Sequence, residues 1–180
     1  MIMNSHNDSE VEIIMEKTCC FTGHRPEKIT ENVDVIKANL KKEILKAIEA
    51  GYDTFLTGMA PGTDTWAADI VLDLKAKGAP VKLVCAIPFR GVERNRSYEL
   101  QKRFHEILAA SDDAVYMSRK YARWVFLARD KWMVEHSSYV IAVYNGSKGG
   151  TEFTVDYAKR NGKQIAFVEL KRKEPIGEVN

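Results

Sequence analysis

The first segment that could do chemistry is glycine-rich and runs from Asn145 to Thr151 as NGSKGGT. Gly149 and Gly150 remove side chains where the chain must turn or where a ligand approaches the backbone. Thr151 is predicted to cap the helix that follows, whose first N–H groups lack internal partners and carry the positive end of the helix dipole. These features predict an anion site, most naturally for phosphate. An ordinary glycine-rich connection explains this stretch equally well.

A second polar turn holds Thr22, Gly23, His24 and Arg25. The Arg25 guanidinium can pair with both oxygens of a phosphate or carboxylate. A solvated turn with a surface salt bridge is the alternative, and a second anion loop in the chain favours the ligand. A neutral His24 imidazole could stack on a base or hydrogen-bond a sugar, but it could equally cap a helix.

Two carboxylates are candidate catalytic residues, Asp64 and Glu93. Asp64 falls in the first turn of a predicted helix, where the dipole alone explains a carboxylate; it could also bind a ribose hydroxyl or act as a general acid or base. Glu93 lies between Arg90 and Arg94. An arginine near phosphate and a carboxylate near the sugar suit cleavage of an N-glycosidic bond, whereas a mobile charged loop is the alternative.

Short apolar runs alternate with helical periodicity along the whole chain. The predicted strands are Thr18–Thr22, Thr54–Thr57, Val81–Ile87, Asp113–Met117, Tyr139–Tyr144 and Gln164–Val168. The predicted helices span residues 32–50, 64–77, 95–110, 122–136 and 152–160. This order predicts an α/β fold, a Rossmann-like three-layer sandwich with a mostly parallel sheet and helices on both faces.

In such a sheet, ligands bind outside the carboxyl ends of the strands, near a switch in strand order. Four polar or glycine-rich turns follow predicted strand ends and should therefore share one rim. They are Thr22–Pro26, Thr57–Asp64, Pro88–Arg94 and Asn145–Thr151.

Two groups of helical residues are expected to serve structure only. The tryptophans lie at helical spacing among apolar residues, so we expect them in the core; they are Trp66, Trp124 and Trp132. A basic group around the fourth helix is expected to form a solvated face; it comprises Arg119, Lys120, Arg123, Arg129 and Lys131.

The composition indicates one globular domain over residues 17–170, with a poorly ordered extension at 1–16 and a frayed tail at 171–180. Of 180 residues, 45% are apolar and 29% charged, and the net charge of +2 argues weakly against general nucleic-acid binding. No apolar run approaches the roughly 20 residues that span a bilayer, and no signal peptide is evident, so we expect a cytoplasmic protein. Cys19, Cys20 and Cys85 are expected to be buried and reduced. No cluster requires a metal or cofactor.

Four motifs follow one another along the chain. They are FTGHRP at Phe21–Pro26, LTGMAPGTD at Leu56–Asp64, AIPF at Ala86–Phe89, and NGSKGGT at Asn145–Thr151. Together they resemble the YpsA-like branch of the SLOG (SMF/DprA–LOG) superfamily over roughly residues 17–170. The resemblance implies a Rossmann-like fold with a site for a nucleotide or nucleotide-derived, ADP-ribose-like ligand.

The resemblance also implies three kinds of activity. LOG enzymes are phosphoribohydrolases with a loop of the form Pro-Gly-Gly-x-Gly-Thr-x-x-Glu, in which the glutamate helps catalysis. Placing Gly150 and Thr151 on that Gly-Thr puts Thr154 at the glutamate, and Glu152 is out of phase by two positions. The comparison is therefore consistent with phosphate binding, but the loop lacks the glutamate of the LOG arrangement. This favours a binding or sensing role over hydrolysis. DprA-like members bind single-stranded DNA. Because the net charge of this chain is close to neutral, this is the least favoured of the three activities.

The leading prediction is therefore a module that binds a small nucleotide-derived ligand, without a membrane and with homo-oligomers possible. The alternative is a nucleotide N-glycosidase of the phosphoribohydrolase type, with Glu93 or Asp64 as the catalytic carboxylate. The predicted ligand-binding residues are Thr22, Gly23, His24, Arg25, Gly58, Met59, Asp64, Pro88, Arg90, Arg94, Asn145, Gly149, Gly150 and Thr151.

Overall fold

The structure, a computed structural model, describes residues 3–4, 11–168 and 170. The expected extension at 1–16 falls partly outside these residues, and the expected frayed tail at 171–180 falls wholly outside them, so both stay predictions. Within the described part of the first segment, Val11 and Ile13 pack against the apolar core.

The described chain alternates strands and helices. The strands are β1 (Met3–Asn4), β2 (Thr18–Gly23), β3 (Thr54–Thr57), β4 (Lys82–Phe89), β5 (Asp113–Ser118), β6 (Tyr139–Val143) and β7 (Gln164–Phe167). The helices are α1 (Val33–Glu49), α2 (Thr63–Ala76), α3 (Tyr98–Ala110), α4 (Val125–Glu135) and α5 (Gly150–Arg160). Strands β2 to β7 and all five helices match predicted elements to within a helical turn, whereas β1 was not predicted.

One sheet holds all the strands in the order β1-β5-β4-β3-β2-β6-β7. Strands β2 to β7 are parallel, and β1 pairs antiparallel with β5 at the edge. Helices α1, α2 and α3 pack along one face and α4 and α5 along the other. The predicted α/β, Rossmann-like three-layer fold is therefore confirmed. The chain reverses its direction of growth between β2 and β6, which is where such sheets bind ligands.

The alternation of side chains along β2 builds both layers of core. Cys19 packs in the cluster under α1, α2 and α3, and Cys20 packs in the cluster under α4 and α5. Burial raises the pKa of the Cys20 thiol, and likewise that of Cys85, to about 12. Because thiolates are the reactive form, these cysteines are inert core residues, as the sequence predicted.

The tryptophans do not all lie in the core. Trp132 is buried and Trp66 is half-buried, but Trp124 is 55% exposed. The core prediction for Trp124 is wrong because α4 begins only at Val125, which leaves Trp124 at the helix cap with its side chain outside the packed layer. Within the described residues, no helix is long and apolar enough to cross a membrane.

The end of β2 packs tightly on the first turn of α2. A Cβ atom built on Gly23 would overlap the Thr63 side chain. The Thr63 hydroxyl also donates to the carbonyl of His24 over 3.1 Å. Gly23 is thus required by contact between strand and helix, whereas the Cβ position of Gly150 has no heavy atom within 4 Å.

We expect Gly23→Ala to lower the free energy of unfolding by about 1–3 kcal/mol, because an added methyl group must displace Thr63. The matched change Gly150→Ala should cause no loss, since it adds a methyl group in open space within a helix. Urea unfolding followed by circular dichroism measures both. Equal losses in the two variants would contradict this account of the packing.

Candidate functional site

A cavity of about 290 Å³ opens at the carboxyl ends of β2 and β6, between the first turns of α2 and α5 and one face of α4. Its lining residues are Phe21, Thr22, Gly23, His24, Arg25, Lys28, Ala60, Asp64, Arg96, Phe126, Leu127, Arg129, Asp130, Met133, Gly150, Thr151 and Thr154.

Half of the predicted ligand-binding residues meet at this cavity: Thr22, Gly23, His24, Arg25, Asp64, Gly150 and Thr151. Gly58 and Met59 lie beside it and hold lining arginines through their carbonyl groups. The lining does not include Pro88, Arg90, Glu93, Arg94, Asn145 and Gly149. The sequence did not point to Lys28, Arg96, Phe126, Arg129, Asp130 or Thr154.

Asp64 is a buried carboxylate in the first turn of α2. Burial raises its pKa from the ordinary value of 3.8 to about 6, although Arg129 and the Ala60 N–H oppose this rise. That N–H donates to the Asp64 carboxylate over 3.2 Å. A carboxyl group that titrates near neutrality inside a cavity can bind a hydroxyl group or transfer a proton.

Arg129 lies beside Asp64, and its side chain is only 11% exposed. Its Nη1 donates to the Gly58 carbonyl over 2.7 Å, and its Nε and Nη2 donate to Asp130 Oδ1 over 3.0 and 2.8 Å. Burial lowers its pKa, but Asp130 and Asp64 outweigh this effect and raise it. The predicted solvated face is therefore wrong at Arg129: α4 buries residues on several sides, so a central charged pair is enclosed.

Arg96 reaches the cavity from the loop before α3. Its Nη1 donates to the Met59 carbonyl over 3.0 Å, and its guanidinium lies 5.3 Å from the Phe104 ring centroid. Burial, and then the like charge of Arg25, lower its pKa. Met59 has a left-handed backbone, with φ of 59°. A buried non-glycine residue seldom adopts this conformation, and here it turns adjacent carbonyl groups toward two arginines.

His24 is 3% exposed and sits beneath the Asn145 loop. Its Nε2 accepts the Asn145 N–H over 3.3 Å and lies 3.3 Å from the Ser147 hydroxyl. Burial lowers the pKa of the imidazole. A neutral ring that accepts at Nε2 carries its proton on Nδ1, which makes Nδ1 a donor.

The first turn of α5 forms the anion-binding end of the cavity. Helix α5 is capped at Gly149, so the prediction that Thr151 caps it is wrong. The first helical hydrogen bond runs from Phe153 N to the Gly149 carbonyl over 3.0 Å. The N–H groups of Gly150 and Thr151 therefore have no intrahelical acceptor. Lys28 Nζ donates to the Lys148 carbonyl over 3.1 Å and places a cation at this end.

The charged loop predicted to join the site lies elsewhere. Glu93 Oε1 is 3.9 Å from His105 Nε2 on α3, and the Arg90 guanidinium stacks 4.7 Å from the Tyr116 ring centroid. Asn145 accepts the Ser147 N–H over 3.0 Å and so shapes its own turn. Within the described residues, no three acidic, histidine or cysteine side chains form a potential metal site.

The lining charges favour an anionic ligand. The cationic side chains are Arg25, Lys28, Arg96 and Arg129, against the carboxylates Asp64 and Asp130. Two helix N-termini add partial positive charge at the same cavity. The lining therefore carries a surplus of positive charge beside a buried acid, an arrangement that suits an anion.

Comparison with known proteins gives one family and one fold. The family model described as the YspA SLOG family matches residues 19–172. A UPF0398 protein of Bacillus cereus strain B4264 is 24% identical over 156 residues, which cover 82% of this chain and 85% of that protein. The SPbeta prophage-derived protein YoqJ of Bacillus subtilis strain 168 is 29% identical over 118 residues, which cover 59% of this chain and 69% of YoqJ.

Among solved structures, DNA processing protein A from Helicobacter pylori superposes with a TM-score of 0.65 at 15% identity, covering 96% of this chain and 83% of that one. That structure is described by its single-stranded DNA binding mode. At this identity the likeness shows the fold alone. The resemblance to the YpsA-like SLOG branch, inferred from the four motifs, is confirmed.

The raised pKa of Asp64 predicts how stability depends on pH. Because the folded protein binds this proton more tightly than the unfolded chain, the stabilisation is present below pH 4 and is lost as pH rises through about 6. A rise from 3.8 to about 6 corresponds to roughly 3 kcal/mol. As pH rises from 4 to 7.5, the free energy of unfolding of Asp64→Asn should therefore increase by roughly this amount relative to that of wild type.

Urea unfolding at both pH values measures this difference. Asp156→Asn removes an exposed carboxylate from α5 and serves as the control, whose difference from wild type should stay nearly constant. If the free energy of unfolding of Asp64→Asn also differs from that of wild type by the same amount at both pH values, then burial does not raise the pKa of Asp64.

Proposed function

This chain belongs to the YspA SLOG family, and from that premise we propose that it binds a nucleotide or a nucleotide-derived, ADP-ribose-like ligand as a binding or sensing module. The observation that carries the proposal is the cavity at β2 and β6, where two helix N-termini meet four cationic side chains. Anions bind to helix N-termini because free N–H groups and the dipole act together.

The phosphate would lie at the first turn of α5. The N–H groups of Gly150 and Thr151 are available there, and Arg25 and Lys28 flank the same space. Arg25 is exposed and can move onto the phosphate as it binds. The open Cβ position of Gly150 leaves room for a phosphate oxygen to approach the backbone.

The sugar would occupy the deeper end. Asp64 can accept a hydrogen bond from a ribose hydroxyl group, and His24 Nδ1 can donate one. The cavity volume of about 290 Å³ lies at the lower end of the roughly 300–1,000 Å³ typical of small-molecule pockets. It suits the phosphate and sugar of one nucleotide, so a larger ligand would extend outside.

Hydrolysis of the N-glycosidic bond is the second candidate function, and the pKa of about 6 at Asp64 favours it. A group that titrates near neutrality can protonate a leaving base or activate water. Thr154 stands where the LOG loop has its catalytic glutamate, and it donates to the Gly150 carbonyl over 2.9 Å. Of the two carboxylates that line the cavity, Asp130 accepts two hydrogen bonds from Arg129, so Asp64 is the candidate for that role.

Nucleotide binding is tested by native mass spectrometry against nucleoside monophosphates, ADP-ribose, NAD and cyclic nucleotides. We expect wild type to retain one intact ligand. Arg25→Ala should weaken binding roughly 10- to 150-fold, the usual worth of a charge-assisted hydrogen bond. Arg94→Ala removes an exposed arginine from the same rim but outside the cavity, and it should bind as wild type does. Equal effects of both changes would contradict the assigned phosphate position.

Product analysis of the same samples tests the enzymatic alternative. Release of free base with ribose 5-phosphate, abolished by Asp64→Asn, would make the protein an N-glycosidase. Intact ligand in every sample would show that the protein binds its ligand without cleaving it. A parallel sample contains oligo(dT), and its retention where no nucleotide is retained would favour the single-stranded DNA binding described for the Helicobacter pylori protein.

A further inference from the structure

Three cationic side chains line one side of the cavity, from the loop before α5 to the turn after β3. They are Lys28, Arg25 and Arg96, and we call them the cation row. At the α5 end, Lys28 Nζ donates to the Lys148 carbonyl over 3.1 Å. At the β3 end, Arg96 Nη1 donates to the Met59 carbonyl over 3.0 Å. Each end of the row is thus fixed to a different loop.

Arg25 connects the two ends of the cation row. The Lys28 N–H donates to the Arg25 carbonyl over 3.0 Å, so both side chains leave one short turn. A Cβ atom built on Gly62 would lie 3.3 Å from the Arg25 Cα, so the backbone of Arg25 also contacts the turn after β3. Burial, followed by the like charge of Arg25, lowers the pKa of Arg96. The two guanidinium groups are therefore close enough to repel each other.

The cation row is not neutralised by the protein. Among the described residues, none of its three members belongs to an ion pair. The fourth lining cation, Arg129, is balanced by Asp130. Even with Asp64 ionised, three positive charges then face one negative charge in the lining. Glu93 lies outside the lining and affects Arg96 less than Arg25 does. A bound anion would relieve this repulsion.

The cation row is also longer than one phosphate group. Its α5 end follows β6 and its other end follows β3, and β2 lies between these two strands in the sheet. Neighbouring strands are about 4.8 Å apart, so the strands that carry the two ends are separated by roughly 10 Å. A phosphate at the first turn of α5 therefore lies beyond hydrogen-bond reach of Arg96, which is held at the Met59 carbonyl.

We propose that the cation row is a diphosphate site, in which Lys28 and Arg25 bind the phosphate at α5 and Arg25 and Arg96 bind a second phosphate linked to it. This inference rests on the proposed function, since it assumes the first phosphate at α5. It narrows the ligand to a nucleotide with a pyrophosphate group, either terminal as in ADP or internal as in ADP-ribose. A guanidinium group suits this role because it can donate to two phosphate oxygens at once.

The exposure of the row fits a ligand larger than the cavity. Lys28 and Arg25 are exposed and Arg96 is half-buried, so the row runs along the open side of the cavity. A diphosphate held there leaves the rest of the ligand free to extend into solvent. The volume of about 290 Å³ therefore does not restrict the site to a nucleoside monophosphate.

Calorimetric titration with AMP, ADP and ADP-ribose tests for the second phosphate. Wild type should bind ADP or ADP-ribose roughly 10- to 150-fold more tightly than AMP, the usual worth of one further charge-assisted interaction. Arg96→Ala should remove most of this preference and leave the AMP affinity nearly unchanged. Arg96→Lys keeps a cation that can still donate to the Met59 carbonyl, and it should retain part of the preference. A substitution that only loosened the fold would weaken all three ligands alike.

Arg94→Ala is the matched control, because it removes an exposed arginine from the same loop but outside the cavity. It should keep the wild-type preference. An equal loss in Arg94→Ala and Arg96→Ala would indicate general electrostatic attraction and overturn the inference. Tighter binding of ADP-ribose than of ADP would support an internal diphosphate, and the reverse order would support a terminal one.

Two further outcomes separate this inference from the proposed function. If wild type binds AMP, ADP and ADP-ribose equally, or if Arg96→Ala weakens all three equally, the second phosphate is overturned and the proposed function stands. If wild type binds none of the three, the proposed function fails and the diphosphate site fails with it.

Discussion

The candidate site depends on one buried arginine. Isolating a charge from water costs several kcal/mol, so a buried guanidinium persists only where each of its nitrogens finds a partner. Arg129 meets this condition by joining three parts of the chain: its own helix through Asp130, the turn after β3 through the Gly58 carbonyl, and the first turn of α2 through the charge of Asp64. These contacts fix the floor of the cavity before any ligand arrives.

The same constraint explains the backbone of the turn after β3. A Cβ atom on Gly58 would lie 2.8 Å from Asp64 Oδ2 and 3.0 Å from Arg129 Nε, so glycine is the residue that lets this ion cluster form. Met59 then adopts its left-handed conformation, and its carbonyl accepts from Arg96. Two neighbouring carbonyl groups thus orient two arginines, and strain in one turn is offset by charged hydrogen bonds.

Much of the fold was predictable because fully buried parallel strands read as short apolar runs. Ligands bind outside the carboxyl ends of parallel strands, and this rule correctly brought Thr22, Arg25 and Thr151 together. Applying it requires only that the ends of the strands be predicted. Arg129 was not predicted to join the site, because the sequence of a charged helical residue is the same whether its side chain is solvated or buried in an ion cluster. Only the packing of the neighbouring helices and turns shows that Arg129 is buried. Glu93 was grouped with the rim for its charge, but loop geometry directs it toward α3.

The place of β2 in the sheet has a consequence for how the protein is made. Strand β2 emerges early in synthesis, yet its neighbour β6 and the first turn of α5 belong to the last part of the chain. One wall of the cavity is therefore supplied by residues separated by most of the sequence, and such distant pairing is slow to form. A growing chain therefore has no complete cavity until α5 has left the ribosome.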